Sequence, residues 1–533
     1  MKKFTLSTIA LAAIFAANAE SQSTANYQDG FFVVNEGRYG TDPGSINWFG
    51  ADGTMQYNVE TLANGTNPLG NTSQYGTIYG NRFYTISKQG ARLVTFDAAT
   101  MKMLSSVSEI GGDGRAFVGI TTEKAYVGTT DGIRIVDLTT GAVGDKIEGT
   151  SDEVGTMERV GNYVFATSRN DIIYVVDPAT DALVTSIEAS GVSGLTVARD
   201  GYVWANCGSS VMRINPVDLQ TVTSEVTNSL PTQWGAWKPD LFVASPTEDA
   251  IFYAWGGAWS QNKLGKLTLN ADGTVADDTD FAFTMPAGMT ETNTQEFYGT
   301  LGIDPHTGYL VAMTVQSGWG SNYLYNWVHL INTETGAIAQ SYFPTNANGE
   351  GNYWFPSMPV FPDVVDPEIT LTDIALDNNM LVLTKPDIIS DDNLPARAVV
   401  EASTESGVFS VENDGVNLTI LPKKNGSGEL KISVNSNGKV AEKTVAVTVS
   451  GVGGINDVMS GVRVYVSATG STLYIAGADS AQASLFNAAG CHVADIAVAQ
   501  TASYDMSALA TGVYFVRLSQ NGTVKTFKVV KRK

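Results

Sequence analysis

From Phe83 to Val226 apolar and polar residues alternate in short runs separated by Gly, Asn, Asp and Ser clusters, a pattern that predicts strands and tight turns. The runs FYTISKQGARLVTFDAATMKMLSSV, AYVGTTDGIRIVDLTTGAVGDKI, YVFATSRNDIIYVVDPATDALVTSI and YVWANCGSSVMRINPVDLQTVTSEV share one plan: strand, polar turn, strand ending in Asp or Asn, turn, strand. That closing residue sets a register at Asp97, Asp137, Asp177 and Asn215, spaced 40, 40 and 38 apart, and Asp52, Asn270 and Asn332 extend it to seven units. A fourth strand precedes each unit, as in GLTVARDG before YVWANCG. Four strands cannot bury both of their faces alone, and radial stacking around a channel solves this. The expected fold class is all-β, with a seven-bladed β-propeller over residues 20–362.

Propeller geometry brings two sets of connections to one face: the turn between the second and third strands of each blade, and the link into the next inner strand. On that face the spacing places Asn35, Glu36, Tyr75, Trp234, Trp237, Trp255, Trp259, Tyr298, Trp319 and Trp354, together with Arg115 and Arg169. Longer insertions in blades one, six and seven predict a raised aromatic wall on one side of the mouth. Concave aromatic surfaces with a few polar groups bind large ring-bearing ligands. The structural alternative for any single ring is wedging between blades. Trp204 and Trp327 sit within strand patterns and are expected in the core.

After Pro362 the forty-residue mark disappears. Residues 363–450 alternate over short strands and read as an immunoglobulin-like sandwich. A glycine-rich linker, 451–460, leads to a small β-sandwich at 461–533. At the other end, Lys2 and Lys3 precede an apolar run closed by Ala17-Asn18-Ala19, the pattern of a secretion signal over residues 1–19.

The net charge of −22 argues against nucleic acid and anionic membranes as partners. Two cysteines, Cys207 and Cys491, in different domains give no disulfide framework. His306, His329 and His492 have no metal-site spacing, and no nucleophile elbow, Walker loop or dinucleotide fingerprint is present. No metal, cofactor or catalytic residue is expected, and a binding protein is favoured over an enzyme. A propeller lyase or lactonase is the minor alternative.

Three resemblances add to this. Tyr126-Val127-Gly128-Thr129, Tyr163-Val164-Phe165-Ala166 and Tyr202-Val203-Trp204-Ala205-Asn206 resemble the YVTN-type propeller repeat. Gly490, Leu509, Gly512-Val513-Tyr514 and the basic end Lys525, Lys528, Lys531, Arg532 and Lys533 resemble the C-terminal sorting domain of the type IX secretion system, with Cys491 where a basic residue is usual. That resemblance implies export to the cell surface or beyond. The opening GFFVVNEGRYGTDPGSINWF is similar to surface propellers of gut Gram-negative bacteria, some of which capture cobalamin for an outer-membrane transporter. It implies a cobalamin-like ligand; the residues themselves suit a glycan nearly as well, or a protein partner, while the secretion machinery is a further expected partner.

Overall fold

The computed structural model describes residues 27–230, 241–257, 260–289, 293–346, 348–452, 459, 461–467, 469–520 and 523–532. The expected signal segment, Trp234, Trp237 and Trp259 lie outside them, as does most of the linker.

Among the described residues, seven four-stranded antiparallel sheets lie between Gly30 and Val360. Their inner strands are Asn71–Tyr79, Gly114–Gly119, Val154–Val160, Gly194–Val197, Phe242–Ala244, Gln295–Ile303 and Pro356–Val360. Each touches the next, and the last touches the first, so they form a propeller-like ring around a central channel. The chain closes this ring across its own ends: Pro356–Val360 pairs with Gly30–Asn35 in the first blade. Large side chains such as Trp204, Tyr126, Tyr253 and Phe165 are fully buried between blades, and Trp327 is buried as expected.

The repeat mark has a local physical cause. The carboxylate or amide oxygen of Asp52, Asp97, Asp137, Asp177, Asn215 and Asn332 accepts backbone N–H groups two or three residues on, closing the turn from third to fourth strand. Four residues after the mark the backbone turns left-handed, at Met101, Gly141, Asp181, Leu219 and Gly336. These hairpins all lie at one end of the ring, called the lower end below.

The next unit packs a four-stranded sheet, which includes Gly426–Ser436 and Lys439–Val449, against the three-stranded sheet of Leu381–Thr384, Phe409–Asn413 and Asn417–Pro422. Their shared core of Phe409, Ile420, Leu430, Val434 and Val447 makes an immunoglobulin-like sandwich. The C-terminal unit is a five-stranded sheet whose longest strand, Thr472–Asn487, shifts register after Ala476 and Ala478. Lys531, read from sequence as part of a basic end, is buried instead. Its ammonium donates to the carbonyls of Met506, Ser507 and Leu509 at 2.7, 3.1 and 2.6 Å and so pins the turn before Gly512.

Candidate functional site at the mouth of the ring

The upper end is fixed by strand register. Asn71 pairs with Gln89, Val154 with Ser168, Gly194 with Asn206, Gln295 with Gln316 and Asn35 with Pro356, so inner strands begin where second strands end. The loops joined there form one mouth, as the sequence predicts.

Glu36 joins three other segments of the mouth. Its backbone N–H donates to Phe355 at 2.9 Å, and its buried carboxylate accepts from Gln74 Nε2 at 3.0 Å and from Tyr298 Oη at 3.3 Å. Burial and this carboxylate together push the Tyr298 phenol far above its usual range. Gly37 permits the turn, since at φ 72° a β-carbon would sit 2.2 Å from the Pro43 carbonyl oxygen. Gly299, also at φ 72°, does the same for ring closure: a β-carbon there would meet the Ser357 carbonyl oxygen at 2.4 Å. Asn35 is buried beside Glu36, but its amide is bound to the Ser45 hydroxyl at 3.1 Å and serves the strand pair.

Across the mouth, buried Glu153 holds both predicted arginines, Arg115 Nε at 2.5 Å and Arg169 Nη1 at 3.2 Å. Lys88 is buried within electrostatic reach of both carboxylates, its ammonium lowered to about 8 by burial, with Glu36 and Glu153 opposing and Arg115 assisting. Sequence reading missed Lys88 and Glu153. Their signal is a charged residue at a strand end that alternation would bury.

The aromatic wall exists, with partly different members. Trp319 is 63% exposed and lies 6.0 Å from Tyr323; Tyr323 and Tyr298 lie 5.6 and 5.7 Å from Phe355; Phe355 stacks on Tyr353 at 5.8 Å, and the Arg38 guanidinium covers Tyr353 at 4.8 Å. Tyr323 also donates to Glu296 at 3.5 Å, and burial with that carboxylate pushes its phenol up to about 12. Two members have strained backbones: Phe355 at φ 49°, and Trp319 at φ 62° and ψ 169°, a region open in practice only to glycine. The Trp319 carbonyl accepts from Asn322 Nδ2 at 3.1 Å, while Gln316 and Asn293 donate to the Asn322 amide oxygen at 2.6 and 3.1 Å.

Other expected members lie elsewhere. Trp354 is buried and stacks on Tyr57 at 5.6 Å, while its neighbours Tyr353 and Phe355 stack on each other; the backbone here is a tight turn, with the Trp354 N–H donating to the Asn352 carbonyl at 2.8 Å and Phe355 left-handed, and it parts the three rings. Tyr75 is half-buried between blades two and three, where its hydroxyl donates to the Phe117 carbonyl at 2.9 Å and burial raises its phenol. Trp255 is half-buried among blade-five and blade-six residues, beneath the Lys263 ammonium at 4.1 Å. Blade six does not carry the long turn expected between its second and third strands. It extends those strands instead, to eight and ten residues. No metal-binding cluster of His, Cys, Asp and Glu occurs among the described residues.

A family model described as "Domain of unknown function (DUF5074)" matches residues 29–362, and the chain belongs to that family. A second, "Secretion system C-terminal sorting domain", matches residues 464–532, so the protein is exported by type IX secretion to the cell surface or extracellular space. Among solved structures, a quinonprotein alcohol dehydrogenase-like protein from Bacteroides thetaiotaomicron is similar at 15% identity and a TM-score of 0.48, over 63% of this chain and 79% of that one. No curated protein matches the chain.

Proposed function

We propose that the protein is an exported, non-enzymatic binding protein, a seven-bladed propeller that captures a large ring-bearing small molecule at its mouth. The observation that carries this reading is Trp319, an exposed indole held in a glycine-only backbone conformation at the edge of a continuous aromatic cluster. Strain of that kind costs about 1–3 kcal/mol and persists where the surroundings enforce it. Flat rings suit a macrocycle face, and the Glu36, Arg115 and Arg169 groups suit amide and phosphate substituents. Cobalamin is the candidate with both features. The capture surface faces away from the sandwich unit, which leaves it open to an outer-membrane transporter as acceptor.

The test is calorimetric titration of the full exported chain with cyanocobalamin, repeated with Trp319→Ala. Tight binding that weakens at least tenfold in the variant supports the reading. Absence of binding removes the corrin, and a glycan array then asks whether the same wall stacks on sugars.

A further inference from the structure

The sandwich unit does not hang from the ring as a spacer. It covers the lower end at three separated blades. Asn437 and Asn435 bond to the blade-two hairpin, through Gly80 N–H at 2.6 Å and the Tyr79 hydroxyl at 3.4 Å. Gly415 lies against Asn162 and Gly161 of blade four, and Asp392 meets His306 of blade seven at 3.0 Å. Leu394 and Ala396 pack on the core shared by blades four and five.

Between these anchors the short turn Pro395–Arg397 carries an arginine to the inner strands. Arg397 Nε and Nη2 donate to the two oxygens of Glu158 at 3.1 and 2.8 Å, and Glu158 lies two residues from the lower end of inner strand Val154–Val160. The guanidinium charge also acts on the Tyr75 hydroxyl, which is bound to the Phe117 carbonyl midway along inner strand Gly114–Gly119. Arg397 nonetheless remains 47% exposed while Glu158 is only 15% exposed. A guanidinium enclosed by strands yet open to solvent faces the space inside the ring. Glu158 engages two of its five N–H groups, and the fork geometry aims the others away from that carboxylate.

We propose that the sandwich unit closes the lower end of the channel, making the ring a one-ended well, and that Arg397 is the donor on its floor for a phosphate or carbonyl oxygen of whatever enters from the mouth. The identity of that ligand rests on the capture reading above; the floor itself does not. The experiment compares the full exported chain with Arg397→Met and Arg397→Lys, using small-angle scattering to verify that the units remain docked through Leu394 and Ala396. With cyanocobalamin as probe, Arg397→Met is expected to lose at least tenfold in affinity and Arg397→Lys less; equal affinity in all three overturns the proposal. If the wild type binds no cyanocobalamin, inorganic phosphate is the probe. A phosphate-dependent rise in melting temperature present in the wild type and absent in Arg397→Met supports the floor, and equal behaviour of the two, including no response in either, overturns it. Should Arg397→Met undock, Glu158→Gln with Arg397 intact gives the second arm: it leaves the donor in place and is expected to keep or strengthen the phosphate response, and loss of that response with the units still docked overturns the proposal.

Discussion

The two ends of the ring are built from the same strands to opposite rules. At the lower end, successive blades solve one problem in one way: a mark residue caps its own turn, a left-handed residue follows, and the sequence repeats visibly. The described residues of the mouth form no such series. Blade one contributes Glu36 and Arg38, blade two Lys88, blade four Glu153, and blade seven Tyr298, Trp319 and Tyr323, each in a setting without a counterpart in its neighbours. Regularity therefore tracks the needs of the fold. Departure from it, in a ring whose geometry demands none, tracks the work of the site.

The sharpest break between the ends should come from crowding at the mouth. Gly299→Val would force branched carbons into the carbonyl of Ser357, where the last inner strand closes on the blade-seven sheet, at a φ that a branched residue rarely adopts. A loss on the order of 5 kcal/mol is expected. The check is the denaturant midpoint, which should collapse, whereas Gly308→Val, at the same φ of 72° in a lower-end turn but with open space around it, should cost the backbone strain alone. Second in size is Glu153→Gln. Removing this charge leaves Arg115 and Arg169 without their shared carboxylate, and roughly 3 kcal/mol should be lost. Asp177→Ala, which removes a lower-end turn cap, should cost about 1 kcal/mol. Equal losses in the two variants would erase the distinction between ends.

This contrast also explains what was legible in the sequence. A residue that caps a turn acts on backbone two or three positions away, so the Asp97, Asp137 and Asp177 series could be read locally, and with it the strand order of these blades. The mouth is assembled from residues far apart in the chain. The loops that carry Trp319 and Trp354 also hold Tyr323, Tyr353 and Phe355, but ring size alone singles out Trp354, which the tight turn at Tyr353 sends onto Tyr57 instead. Tyr75 was placed by its position at an inner strand and drawn away by packing between blades. Docking of the sandwich left no local mark, because Arg397 and Glu158 meet across 239 residues.

A smaller effect separates the ends by pH. Lys88 is held at about 8 in the folded chain against about 10.4 when unfolded, so from pH 8 upward the unfolded chain binds a proton the folded one has released. Stability should rise with pH over this window. Lys385 in the sandwich, also lowered to about 8 by burial, contributes with the same sign. Measured between pH 7.5 and 8.5, below the range in which tyrosines of the unfolded chain begin to ionise, the slope should be reduced in Lys88→Met and reduced further when Lys385 is replaced as well. An unchanged slope in Lys88→Met would mean that the mouth lysine is solvated.

The smallest expected change in stability is the most informative about purpose. Trp319 is flanked by Gly318 and Gly320, yet the central residue of the three, in a conformation suited to glycine, is the one that carries the largest side chain. Trp319→Gly removes backbone strain of about 1–3 kcal/mol. It also gives up an edge contact with Tyr323 in a ring that is 63% exposed, a loss that should offset only part of the gain. The variant should therefore melt at the wild-type temperature or slightly above it while losing capture. A residue kept for folding behaves in the opposite way, as Trp204 should when truncated to Ala in the fully buried core. If Trp319→Gly instead lowers the melting temperature by several degrees, the indole supports its loop rather than a ligand, and the mouth loses the feature that most distinguishes it from the lower end.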